Sequence, residues 1–257
     1  FEDQASGILY KEVWPVHREP AAYEKNVRSN PNGRSHGAML GLAKAIQGAD
    51  PKQLPDALAQ YTDLDDLLRY FIVDQALKNW DGVRGWTSEA EKGDNWNHNY
   101  YWYADAQQKL TLIPWDLDAT LSYPARRDHL PSWYDLDESL GMGQPMSNGA
   151  FAWPPSKDRL TRAVAIHARG RYQEAARALL DGPLALDRCL SSLEKWCHQV
   201  RPYVAHDPFL EDRWPLIGSL WSWEFNLYKL RADLHEIRAW MEQEIRDWDD
   251  ELPVRLR

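Results

Sequence analysis

The sequence predicts an α+β fold, mainly α with a small central β element. Three observations carry this. Apolar residues recur at helical spacing around 64–77 and through most of the chain's final third. Two short runs, Asn99–Tyr103 and Leu110–Pro114, are instead dense in aromatic and aliphatic residues and flank a turn-forming Ala104–Gln108. Of 257 residues, 44% are hydrophobic, enough to bury a sizeable core.

Residues 1–36 read as loop-rich, with one strand within Ile8–Trp14 and a turn cluster at Ser29–Gly33. A short helix is expected over Gly37–Gln47, and Pro51 and Pro55 punctuate a second. Thr62, with Asp65 three residues on, resembles an N-terminal capping signal. Leu64, Leu67, Leu68, Phe71, Ile72, Ala76 and Leu77 then form one helical stripe that stops near Asn79–Gly82. A polar excursion, Ser88–Asn97, precedes the two strands. Residues 120–156, rich in Pro, Gly and Ser, read as one long irregular loop. Helices are expected at 157–182, at 184–201 and from about 218 onward. In the last, Trp223, Leu227, Leu230, Leu234, Ile237, Met241, Ile245 and Trp248 step by three or four, as in an amphipathic helix packed on its own domain.

Charge and composition exclude several functions. Lys+Arg 30 against Asp+Glu 39 gives a net charge of −9, which argues against nucleic-acid or anionic-membrane partners. No run of apolar residues is long enough to span a bilayer. The 2 cysteines, Cys189 and Cys197, would lie roughly 12 Å apart along one helix and cannot bridge each other.

Chemistry concentrates around the β element. Asp81 stands at a helix end, Asn99 at a strand start, and Asp116 with Asp118 at a strand end. Carboxylates and an amide oxygen are hard ligands that suit Mg²⁺ shared with phosphates, and a separate carboxylate can orient a hydroxyl and accept its proton. Taken singly, each of these residues also fits an ordinary cap or turn role.

The runs Asn79-Trp80-Asp81-Gly82, Asn97-His98-Asn99-Tyr100-Tyr101-Trp102-Tyr103 and Ile113-Pro114-Trp115-Asp116-Leu117-Asp118-Ala119-Thr120 together resemble the signature of the spore coat protein H (CotH) kinase family. Gly7-Ile8-Leu9-Tyr10-Lys11, Val200-Arg201-Pro202-Tyr203 and Asp207-Pro208 extend the resemblance over most of the chain. It implies the helical C-terminal lobe of a divergent protein-kinase-like fold over residues 1–257, using ATP and Mg²⁺ (or Mn²⁺) to phosphorylate Ser or Thr hydroxyls of a protein substrate. Asp81 matches the catalytic aspartate, Asn99 the metal-binding asparagine and Asp116 the metal-binding aspartate, with Asp118 as second acid of the pair. Asn97 is the substitute for Asn99, because Asp81 and Asn99 are farther apart than in ordinary kinases.

The family's N-terminal lobe, which supplies much of the nucleotide site, is expected to be absent from this chain. No nucleotide-contacting residue is therefore assigned, and Lys11 reads as a strand lysine. Activity is expected once that lobe is supplied, upstream or by a partner chain. The alternative is a catalytically silent binding or structural module, or a subunit completed by a second chain. The resemblance implies a bacterial source, with the compartment open between spore coat or cytoplasm and secretion.

Overall fold

A computed structural model of the chain describes residues 7–29, 35–77, 79, 82–83, 86–88, 95–117, 120, 151–153, 158–162, 164, 168–209 and 220–250. Its internal contacts divide it into two units, Phe1–Ala175 and Ala176–Arg257. The described residues are mainly helical with small antiparallel sheets, as the α+β expectation required.

In the first unit the chain order is β1 (Ile8–Lys11), α1 (Pro20–Glu24), α2 (Gly37–Gly48), α3 (Leu54–Leu58), α4 (Leu64–Ala76), β2 (Trp86–Ser88), β3 (Asn95–Trp96), β4 (Tyr100–Ala104), β5 (Leu110–Pro114), β6 (Phe151–Trp153) and α5 (Arg159–Arg162). Helix α6 (Arg169–Asp181) crosses the unit boundary.

The central sheet has the order β1-β4-β5, antiparallel throughout, with Tyr10 opposite Trp102 and Trp102 opposite Leu112. Because side chains alternate along a strand, Tyr100, Trp102 and Ala104 enter the core together with Ile8, Tyr10, Leu110 and Leu112. Trp14 packs edge-on against Tyr100 at 5.5 Å between ring centres and tilts against Trp102 at 6.0 Å. Its indole N–H donates to Asp158 Oδ1 at 2.9 Å, joining the start of the unit to α5. Asp158 also accepts the Thr161 N–H and hydroxyl, at 2.7 and 2.8 Å. Burial raises its pKa, and those hydrogen bonds oppose the rise.

The β4–β5 hairpin closes where predicted. Asp105 Oδ1 accepts the Gln107 and Lys109 amides at 2.9 and 2.8 Å, and Gln108 takes the left-handed conformation. The turn also serves the helices. Gln108 Oε1 accepts the Ala38 N–H at the start of α2, which has no cap from its own preceding side chain. Lys109 Nζ donates to Ala59 O and Gln60 O, and Leu110 N–H to Tyr61 O at 2.7 Å, so the α3–α4 connection is fastened to the start of β5.

Helix α4 buries Leu64, Leu67, Leu68, Phe71, Ile72 and Ala76, the stripe read from the sequence. Its cap differs by one position. Asp63 Oδ1 accepts the Asp65 and Asp66 amides, whereas Thr62 is buried and bridges Leu110 in parallel register. A carboxylate at the cap also complements the helix dipole.

Two further differences appear. The segments expected to be a polar excursion and an irregular loop contribute a second sheet of order β3-β2-β6, with Thr87 opposite both Trp96 and Ala152. The helix expected over 157–182 is described as two, α5 and α6.

The second unit contains the end of α6, then α7 (Leu186–Ala205) and α8 (Leu220–Asp250). Arg201 pairs with Glu224 at 2.7 Å and Glu194 with Arg231 at 3.5 Å, so α7 and α8 run antiparallel. Of the predicted α8 stripe, Ile237, Met241 and Ile245 are buried, and Trp223, Leu227, Leu230 and Leu234 are half-buried. Arg238 reaches the Leu180 carbonyl and Asp181 at the C-terminus of α6, where a cation satisfies terminal carbonyls. Cys189 and Cys197 both lie on α7 as free thiols.

Tyr10 and Tyr23 generate a pH prediction. Both are buried, in ring contact at 6.3 Å, and burial raises each hydroxyl from 10.0 to about 12, in Tyr23 against a hydrogen bond with His17 that lowers it. The folded chain holds these protons more tightly than the unfolded one. Stability they contribute should be intact below pH 10 and be lost as pH rises toward about 12. Urea unfolding across that window, alongside ultraviolet titration of tyrosinate, checks this. Tyr10→Phe should reduce the loss.

Candidate active site

Strands β4 and β5 deliver the candidate residues to one end of the central sheet. Asn99 immediately precedes β4 and Asp116 lies two residues beyond the end of β5. Trp115 N–H donates to Asn99 O at 3.0 Å, so the peptide of one residue holds the neighbour of the other. Asn99 is buried and Asp116 is exposed. Ile113, Trp115 and Leu117 around the acid are exposed too, with Trp115 edge-on to Tyr101 at 5.5 Å.

The backbone here is unusual. Among the described residues four non-glycines have positive φ. Gln108 is in the hairpin turn, and the other three are Glu12 (φ 51°), Asn99 (59°) and Asp116 (50°). Asn and Asp tolerate this region better than other side chains, yet each such residue costs on the order of 1 kcal/mol or more. Clustering of that kind is typical of sites that must aim particular groups.

Glu12 is the residue that sequence reasoning missed. It follows β1, its amide donates to Tyr100 O at 3.2 Å, and its Oε1 accepts the Asn99 N–H at 3.3 Å. Only the sheet register brings it beside Asn99, 87 positions away. Lys11, expected to be a strand lysine, places Nζ 3.8 Å from the same Glu12 oxygen.

Beneath these residues lies a buried polar base. Asn97 donates from Nδ2 to Val83 O at 2.8 Å, and its Oδ1 accepts the Tyr100 hydroxyl at 2.8 Å. Both ends of this amide are engaged within the fold. The Tyr100 hydroxyl is held well above its ordinary pKa by burial first and then by the charges of Glu12, Tyr70 and Asp158. On the other side, Asn79 Nδ2 donates to Asp74 Oδ1 at 2.8 Å and Asn79 N–H to Asp74 O at 3.0 Å. Gly82 packs against this pair so closely that a Cβ would stand 2.7 Å from Asp74 Oδ1, under any real contact distance. Thus Asn79, Gly82 and Val83, the residues bracketing position 81, are each anchored. Asp81 and Asp118 themselves lie outside the described residues.

The donor chemistry fits a divalent cation. An amide oxygen and a carboxylate are hard donors, and Mg²⁺ commonly takes one or two protein ligands while keeping waters and phosphate oxygens. Among the described residues no group of three or more His, Cys, Asp or Glu is assembled.

A family model described as CotH kinase protein matches residues 3–245. No curated protein and no solved structure matches the chain.

The buried base makes a stability prediction. Asn97→Ala strips partners from the Val83 carbonyl and the Tyr100 hydroxyl, and should cost about 2–4 kcal/mol in urea-unfolding free energy. Gly82→Ala should also destabilise, because its neighbours are a buried amide and carboxylate and not a pliable side-chain end.

Proposed function

We infer that this chain, which belongs to the CotH kinase family, is the helical-lobe part of a protein kinase that transfers the γ-phosphoryl group of Mg–ATP to a Ser or Thr hydroxyl of a protein. The observation that carries this reading is the bond from Trp115 N–H to Asn99 O, which fixes the residue before Asp116 to Asn99 and brings two left-handed residues with hard oxygen donors to one end of the central sheet.

In this reading Asn99 Oδ1 and the Asp116 carboxylate hold the cation, with Asp118 as the assisting acid. A divalent ion bound there would neutralise phosphate charge, the dominant requirement of phosphoryl transfer. Asp81 orients the acceptor hydroxyl and takes its proton as the oxygen forms the new P–O bond, and the γ-phosphoryl group leaves ADP. The exposed apolar residues around Asp116 support a surface that a ligand or a second lobe covers.

The test is transfer of labelled phosphate from γ-labelled ATP to a Ser/Thr-containing acceptor protein, in Mg²⁺ and in Mn²⁺. Asp81→Asn should lower kcat by about 10²–10⁴-fold with metal binding intact. Asp116→Asn and Asn99→Gly, both compatible with positive φ, should instead raise the metal concentration needed. Metal-dependent ATP binding without transfer to any acceptor, and indifferent to Asp81→Asn, would favour the catalytically silent module.

A further inference from the structure

Glu12 has no role in the reaction as described, yet its position is specific. Register pairing of β1 with β4 ends at Lys11 opposite Tyr101. At the next residue the chain turns left-handed while its amide stays bonded to Tyr100 O. This kink sets the Glu12 carboxylate on the N–H of Asn99. The carbonyl of Asn99 is held from the opposite side by the N–H of Trp115. Both polar groups of the Asn99 backbone are therefore engaged, one by the segment after β1 and the other by the segment that carries Asp116.

Resting on the phosphotransferase reading, we propose that Glu12 is a positioning residue of the metal site, whose carboxylate locks Asn99 in the left-handed conformation that aims its side-chain oxygen at the cation shared with Asp116. A left-handed asparagine can relax to ordinary backbone geometry unless both of its flanking peptides are fixed, and rotation about φ or ψ swings the whole side chain. Glu12 supplies one of the two fixings. A negative charge is the better acceptor for a backbone N–H. Lys11 Nζ lies 3.8 Å from the same Glu12 oxygen.

The distinction between positioning and ligation is testable because Gln retains the acceptor oxygen while losing the charge. Glycine removes the side chain but accepts φ 51° without strain, so Glu12→Gly should fold. The probe is Mn²⁺ alone, titrated into the whole chain and followed by loss of the free-ion electron paramagnetic resonance signal, with amide exchange at Asn99 read on the metal-free protein. Glu12→Gly should weaken Mn²⁺ binding about tenfold or more, the usual effect of losing a group that orients a ligand, and should speed exchange at Asn99. Glu12→Gln should stay within about threefold of wild type and preserve slow exchange. Unchanged Mn²⁺ affinity in Glu12→Gly would overturn the proposal. Equal weakening in both variants, with slow exchange kept in Glu12→Gln, would also overturn it by making Glu12 a ligand. Wild-type protein that binds no Mn²⁺ would overturn the phosphotransferase reading itself, and this proposal with it.

Discussion

Strand β4 has a hydrogen-bonded neighbour on each edge, and its buried face carries two large aromatic side chains, Tyr100 and Trp102. That pair of constraints leaves it almost no freedom. A one-residue slip would turn Tyr100 and Trp102 outward and bring Tyr101 and Tyr103 into the core. It would also carry Asn99 away from Trp115 and Glu12, since each of those contacts depends on β4 pairing correctly with a different neighbour. Core packing and site geometry are thus one constraint seen from two ends of the same strand.

The site stores strain against that rigid background. Three left-handed non-glycine residues within one constellation represent a few kcal/mol of unfavourable backbone energy. Burial of Trp14, Tyr100, Trp102 and their neighbours, at roughly 2 kcal/mol for each large side chain, is what allows it to persist. The polar base works in the same direction. Asn97 and Tyr100 satisfy one another and the Val83 carbonyl, and Asn79 donates to Asp74, so Asn79 and Val83 are held by directional bonds in place of deformable apolar contacts.

Much of this was legible from residue patterns. The α4 stripe, the β4–β5 hairpin and the α8 stripe follow from periodicity, because each is long or strongly alternating. Asn99 and Asp116 were visible as hard donors at strand ends, but each also fitted a cap or turn, and the family resemblance gave them their roles. The second sheet was not legible: Trp86–Ser88 and Asn95–Trp96 are too short to show alternation, and β2 finds β6 across a long interval of sequence. The Thr62 signal was displaced to Asp63 because burial against Leu110 took Thr62 out of competition. Glu12 was invisible for a deeper reason. Its relation to Asn99 is created by strand register and a left-handed kink, and neither leaves a mark in composition.

The order of strands in the central sheet carries a consequence for how the molecule assembles. The β4–β5 hairpin closes over residues 105–109, an inexpensive local event, whereas bringing Lys11 to Tyr101 encloses the whole intervening chain. By polymer arithmetic the second closure costs about 2–3 kcal/mol more entropy than the first. The junction between Trp115 and Asn99 belongs to the early, local event, and the Glu12 clamp to the late one. The bond from Trp115 to Asn99 needs only the hairpin, whereas the contact of Glu12 with Asn99 also needs β1 in register on β4.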